Sequence, residues 1–274
     1  MSSNLIAKKA YSIPFIVWII AGTVIPLASI AYYGFTSRDG GFTFDNVLAI
    51  FRHDHMQALG LSLLLAFIST AICLLLAFPM AMILRESRYG KQGFLIFVII
   101  LPMWMNFLLR TMAWQVLLER QGVINAVITA IGLPRQELMN TPGAIVLGMV
   151  YDFLPFMIYP IYNTLQKMDL SLIEAAKDLG ARPKEVFTKV ILPLSVPGIY
   201  SGIVMVFMPT VSTFAISELL THNKITLFGS LIQRSFGEGG IAMWNYGAAL
   251  SLIMLIIIGM TSFFGNNDTE DINR

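Results

Sequence analysis

The sequence predicts an all-α, polytopic membrane protein of six transmembrane helices, and two observations carry that prediction. Of its 274 residues, 56% are hydrophobic and only 12% charged, with a mean hydropathy of +0.72, whereas a soluble domain carries about 25% charged residues. The apolar residues also fall in runs longer than the roughly 20 needed for a helix to cross the hydrocarbon core, where irregular backbone cannot face lipid.

Six runs qualify in chain order. Residues 10–37, 56–84, 190–217 and 239–267 are uncharged, while 92–118 contains Arg110 and 138–166 contains Asp152. The first run follows Lys8 and Lys9 as a signal peptide would, but it has no A-x-A cleavage pattern and reads as a retained helix. Pro26, Pro79, Pro102, Pro155, Pro160 and Pro209 punctuate the spans, each removing a backbone donor. The expected organisation is a tail and first helix over 1–36, a five-helix core over 56–265, and a tail over 266–274.

An even span count puts both termini on one side, and lysine and arginine placement decides which. Lys8, Lys9, Arg85, Arg88, Lys91, Lys167, Lys177, Arg182, Lys184, Lys189 and Arg274 fall in one set of segments. Arg38, Arg52, Arg120, Arg135, Lys224 and Arg234 fall in the other. The richer set is expected in the cytoplasm, so a multi-pass protein of a bacterial inner membrane with both termini inside is predicted.

Several chemistries are excluded or weak. The net charge of +2 lacks the basic excess of a nucleic-acid binder, and Cys73, alone in an apolar run, permits neither an intrachain disulfide nor a multi-cysteine metal site. His53, Asp54 and His55 supply too few ligands for a metal and read as solvated loop. No G-x-x-x-x-G-K-[ST] phosphate loop and no nucleophile elbow occurs. No metal, cofactor or catalytic residue is therefore expected in this chain.

The loop 167–193 is the most informative stretch. Asp169 or Ser171 can cap a short helix, Glu174 falls in its early turns where the macrodipole favours an anion, and Gly180 supplies its left-handed terminus. Pro183 then opens a second helix, expected to reach about Val190. Ala175 and Ala176 are small enough for another protein to approach the first helix closely. An amphipathic connector and a helix that docks in a groove are both compatible with this spacing.

Glu174-Ala175-Ala176, then Gly180, then Val190-Ile191-Leu192-Pro193 resembles the EAA motif of type I ABC-importer permeases. Residues 101–110 and 150–157 further resemble the permeases of spermidine/putrescine importers, and so does the layout from about residue 10 to 265. The resemblance implies the MetI-like permease fold and import of a polyamine by alternating access. It also implies a PotC-like second permease, two ATPase subunits that bind ATP and Mg, and an extracytoplasmic substrate-binding protein. Glu174, Ala175, Ala176, Gly180, Leu192 and Pro193 would then form the ATPase-coupling element. A permease for another small solute and an ion-coupled secondary transporter are the alternatives.

Ionisable groups at membrane depth cost on the order of 3 kcal/mol and usually face the bundle interior. Asp152 is thus a candidate to meet a substrate amine, or else to pair with Arg110. Glu218, closing the fifth span, is a candidate to attract a cation, and Trp104, Tyr151 and Tyr159 offer aromatic faces for an alkylammonium group. Each of these aromatics equally suits interfacial or packing roles.

Overall fold

The computed structural model describes residues 13–37, 40–87, 94–237 and 241–272. Lys8, Lys9, Arg38, Arg88, Lys91 and Arg274, used above to orient the chain, lie outside the described residues. The elements are helices α1 (Ile13–Gly34), α2 (Asp45–Leu48), α3 (His53–Glu86), α4 (Phe94–Trp104), α5 (Phe107–Leu118) and α6 (Val123–Ala130). They continue with α7 (Pro142–Lys167), α8 (Leu170–Asp178), α9 (Pro183–Ser212), α10 (Ala215–Thr221), α11 (Phe228–Gly237) and α12 (Ile241–Ile272). Among the described residues the sole β pairing is an isolated bridge between Thr36 and Phe42.

Five helices are long and apolar enough to cross a membrane: α1, α3, α7, α9 and α12. The expected third span is instead a pair, α4 and the segment Phe107–Ala130 that holds α5 and α6, bent by 85° at a short break, and the count reaches six when that pair is one crossing. Pro102 and Asn106 explain the bend. Pro102 lies in a 3-10 turn ending at Trp104, Met105 is extended, and the Asn106 side chain accepts from the Leu108 N–H at 2.8 Å to start α5 afresh.

The chain forms two compact units. The first joins residues 1–56 to 231–257. There Gly34 packs on α12 so closely that a Cβ would lie 2.9 Å from Leu252 Cδ1 and 3.3 Å from Ala249 N. Asn46 donates to the Thr36 carbonyl at 3.0 Å, and the Tyr246 hydroxyl meets the His55 ring at 2.7 Å. His55 also approaches the Ala49 carbonyl at 2.8 Å, so this imidazole is held within its unit.

The second unit, built on residues 57–230, is organised by α7 against α9, with α3 completing the core. Met157, Ile158, Ile161 and Leu165 of α7 are fully or almost fully buried, with Cys73, Ala77 and Ala81 of α3 and Val206 of α9. Lipid tails are as apolar as leucine, so close backbone approach must replace the hydrophobic drive between membrane helices. Gly198 and Gly202, a G-x-x-x-G pair, provide it. A Cβ on Gly198 would sit 2.5 Å from Thr164 Oγ1 and 2.8 Å from the Pro160 carbonyl oxygen, and one on Gly202 would sit 2.6 Å from Met157 Sδ. A backbone oxygen cannot swing aside. Gly198→Val is therefore expected to destabilise the protein by about 1–3 kcal/mol through overpacking, read as a lowered melting temperature in detergent. Gly60→Ala, at a glycine with open space around it, is expected to leave the melt unchanged or slightly raised.

Candidate functional site: a cavity between two helix breaks

Within the second unit, two interruptions in helical backbone face one cavity. The first is the Met105–Asn106 break. The second follows Ser212, where Thr213 turns extended and Phe214 leads into α10. Pro209 withholds a donor from the last turns of α9, and hydroxyls serve the carbonyls there. Thr210 Oγ1 lies 2.8 Å from both the Val206 and Phe207 oxygens, and Ser212 Oγ lies 3.1 Å from the Met208 oxygen. The cavity between the breaks has a volume of about 480 Å³, in the range of small-molecule sites. Its walls are Met103, Met105, Phe107, Phe153, Phe156 and Phe214, with Pro209, Ser212, Thr213 and Ala215 from the second break.

Arg110 and Asp152 line the same cavity. They are only 7% and 2% exposed, and Arg110 Nε approaches Asp152 Oδ1 at 3.3 Å. That contact is an ion pair by distance but lies outside hydrogen-bond alignment, leaving Nε and Oδ1 without an aligned partner. Thr111 Oγ1 stands 3.1 Å from Asp152 Oδ2 and 2.9 Å from the Phe107 carbonyl oxygen, and its single proton serves one at a time. The carboxylate is thus held from one side by a hydroxyl and neutralised from the other by a guanidinium. Pairing and exposure to a cavity, separate possibilities in the sequence, coincide in one group.

The remaining substrate-path candidates lie elsewhere. Trp104 is 77% exposed and meets Phe97 edge-to-face. Tyr151 packs edge-to-face on Trp114, Tyr159 is largely exposed, and Glu218 is half-buried in the first turn of α10 without lining the cavity. Of the five candidates, Asp152 alone reaches it. The phenylalanines and methionines of the wall went unnoticed in the sequence. Their signal was the turn punctuation at Pro102–Asn106 and Pro209–Thr213, which places neighbouring side chains at a break.

The loop 167–193 folds as two helical pieces. Asp169 Oδ1 accepts from the Ser171 N–H at 2.9 Å to cap α8, and these hydrogen bonds hold its carboxyl below the usual range. The cap is therefore ionised at neutral pH, and it weakens only as pH falls through that lowered value. Gly180, at φ +80°, closes α8 with the paired bonds of a Schellman end: Gly180 N–H to Lys177 O at 2.9 Å and Ala181 N–H to Ala176 O at 3.0 Å. Ile173 anchors the helix by burial, Ala176 is half-buried, and Glu174, Ala175 and Leu179 point outward.

The second piece differs from expectation. It does not stop near Val190 but continues through a π turn at Phe187–Ile191 as the rest of α9, leaving Leu192 and Pro193 exposed on a continuous helix. The wide turn, with Leu192 N–H bonded to Phe187 O, absorbs the donor that Pro193 lacks.

The ion pair predicts an asymmetric response to substitution. Asp152→Asn strands a buried guanidinium and is expected to cost about 3–5 kcal/mol, whereas Arg110→Leu with Asp152→Leu removes both charges and is expected to cost much less. Melting temperatures in one detergent distinguish the two; equal losses would contradict a buried pair.

The chain is 33% identical to the spermidine/putrescine transport system permease protein PotB of Escherichia coli, covering 89% of this chain and 90% of that protein. It is 32% identical to PotB of Haemophilus influenzae, covering 94% and 92%, and 30% identical to the inner membrane ABC transporter permease YdcU of E. coli, covering 80% and 73%. Its fold matches a chain of a bacterial alginate ABC transporter in complex with an alginate pentasaccharide-bound periplasmic protein, with a TM-score of 0.82 at 18% identity over 99% of this chain and 96% of that one. A chain of the MetNI methionine ABC transporter matches with a TM-score of 0.58 at 18% identity, covering 80% and 96%. Residues 9–267 match the model of the binding-protein-dependent transport system inner membrane component, and the chain belongs to that family.

Proposed function

We propose that this permease carries polyamines of the spermidine and putrescine type into the cytoplasm, driven by separate ATPase subunits. The observation that carries the cargo assignment is the buried carboxylate of Asp152 in a cavity walled by four phenylalanines. A polyamine is a chain of methylenes between ammonium groups. Aromatic and methionine walls suit the methylenes and attract ammonium at their faces, and the Asp152 carboxylate, shared between Arg110 and an arriving ammonium, offsets part of the hydration that the ammonium loses. The PotB relatives support the same cargo. A second, PotC-like permease would complete the path, a binding protein would deliver substrate from outside, and ATP with Mg would be bound by the ATPases.

The coupling element in this reading is the outward face of α8. Glu174 and Ala175 are exposed beside Leu179, on a helix fixed from behind by Ile173, and this face fits a groove on an ATPase. Ala176, Gly180, Leu192 and Pro193 shape its flanks, and the loop and both termini are cytoplasmic in this arrangement.

Uptake of radiolabelled spermidine and putrescine, competed by amino acids and anions, tests the cargo in the reconstituted importer. Exchanging the pair, Arg110→Asp with Asp152→Arg, is expected to preserve the melt but lower polyamine uptake about tenfold or more, as loss of a charge-assisted contact does. Unchanged uptake would remove Asp152 from the path. Glu174→Arg is expected to abolish ATP-driven uptake while leaving the chain folded. Retained uptake would refute docking through α8.

A further inference from the structure

A second cavity, of about 610 Å³, opens behind α8 on the side away from its outward face. Met82, Ile173 and Ile191 are among its apolar walls, and Arg85, Glu86 and Lys177 supply its charges. Arg85 closes the last turn of α3, and its Nη2 is buried without a hydrogen-bond partner among the described residues. A buried guanidinium nitrogen that donates to nothing is costly to leave so, and a partner bearing acceptor oxygens satisfies it. The two cations outnumber the one carboxylate. The site lies at the end of α3, a helix long and apolar enough to cross a membrane.

We propose that this cavity holds an anionic phospholipid, its phosphate against Arg85 and Lys177 and an acyl chain along Met82, Ile173 and Ile191. An amphiphile accounts for both halves of the lining, because a free anion would leave the apolar walls uncovered, and net charge selects an anionic lipid, since a zwitterionic one would bring a headgroup cation of its own beside Arg85 and Lys177. The lipid would brace α8 from behind. Its placement in the inner leaflet rests on the cytoplasmic reading of the 167–193 loop.

Native mass spectrometry of the assembled importer, released from nanodiscs of phosphatidylcholine mixed equally with phosphatidylglycerol, reads the site directly. The unmodified importer is expected to retain phosphatidylglycerol in preference to phosphatidylcholine. Arg85→Gln with Lys177→Gln is expected to lower that retention roughly tenfold, as the loss of two interfacial cations does. Added inorganic phosphate is expected not to displace the lipid. Equal retention of both lipids by the unmodified importer, which needs no variant to fold, overturns the proposal. So does undiminished retention by the double variant, and so does displacement by phosphate, which assigns the cavity to a soluble anion. Glu174→Arg separates the two readings: if it leaves uptake intact the docking role of α8 fails, while lipid retention still reports on the cavity.

Discussion

Inside hydrocarbon every backbone N–H and C=O must find its partner within the protein, and this requirement governs both where these helices run and where they break. A break facing lipid would leave polar groups bare. Those at Met105–Asn106 and Thr213–Phe214 instead face a common cavity, and local side chains bond the backbone beside them: Asn106 caps α5, while Thr210 and Ser212 bond carbonyls near Pro209. Arg110 and Asp152 obey the same rule for charge. Each is tolerable at depth because the other is 3.3 Å away.

What the residues announced locally was legible in the sequence. Asp169 caps, Gly180 takes a positive φ and Pro183 opens the next helix, because each preference belongs to the residue itself. Long apolar runs likewise gave the spans. The 85° bend between α4 and α5 was not legible, since composition is the same for a straight and a broken span and only Pro102 with Asn106 hinted at it. The π turn was missed because Pro193 looks like a helix boundary until the widened turn before it is seen.

Orientation about a helix axis was the larger gap. Trp104, Tyr151, Tyr159 and Glu218 have suitable chemistry, but whether a side chain meets a cavity depends on how its helix is rotated by packing. Here that rotation follows from Gly198 and Gly202 seating α9 against Thr164, Pro160 and Met157. Asp152 was recoverable because a charge at depth already restricts the faces it can occupy. The phenylalanine wall was not, because phenylalanine is equally at home against lipid.

The same packing joins the two ends of the second unit mechanically. Helix α9 starts in the loop at Pro183 and ends at the cavity with Ser212, 30 residues or about 45 Å at 1.5 Å per residue. Helix α7 carries Asp152 to the cavity and ends at Lys167, next to the cap of α8. Glycine contacts to backbone oxygen lock α7 and α9 to one another, and such contacts transmit displacement because they cannot be compressed. The helical hydrogen-bond pattern of α9 departs from regular near its two ends, in the π turn before Pro193 and in the break after Ser212. Under the docking proposed for α8, a displacement there would reach the cavity through α7, which carries Asp152, and through α9, which leads to Phe214, and a small change at either alters what the cavity can hold.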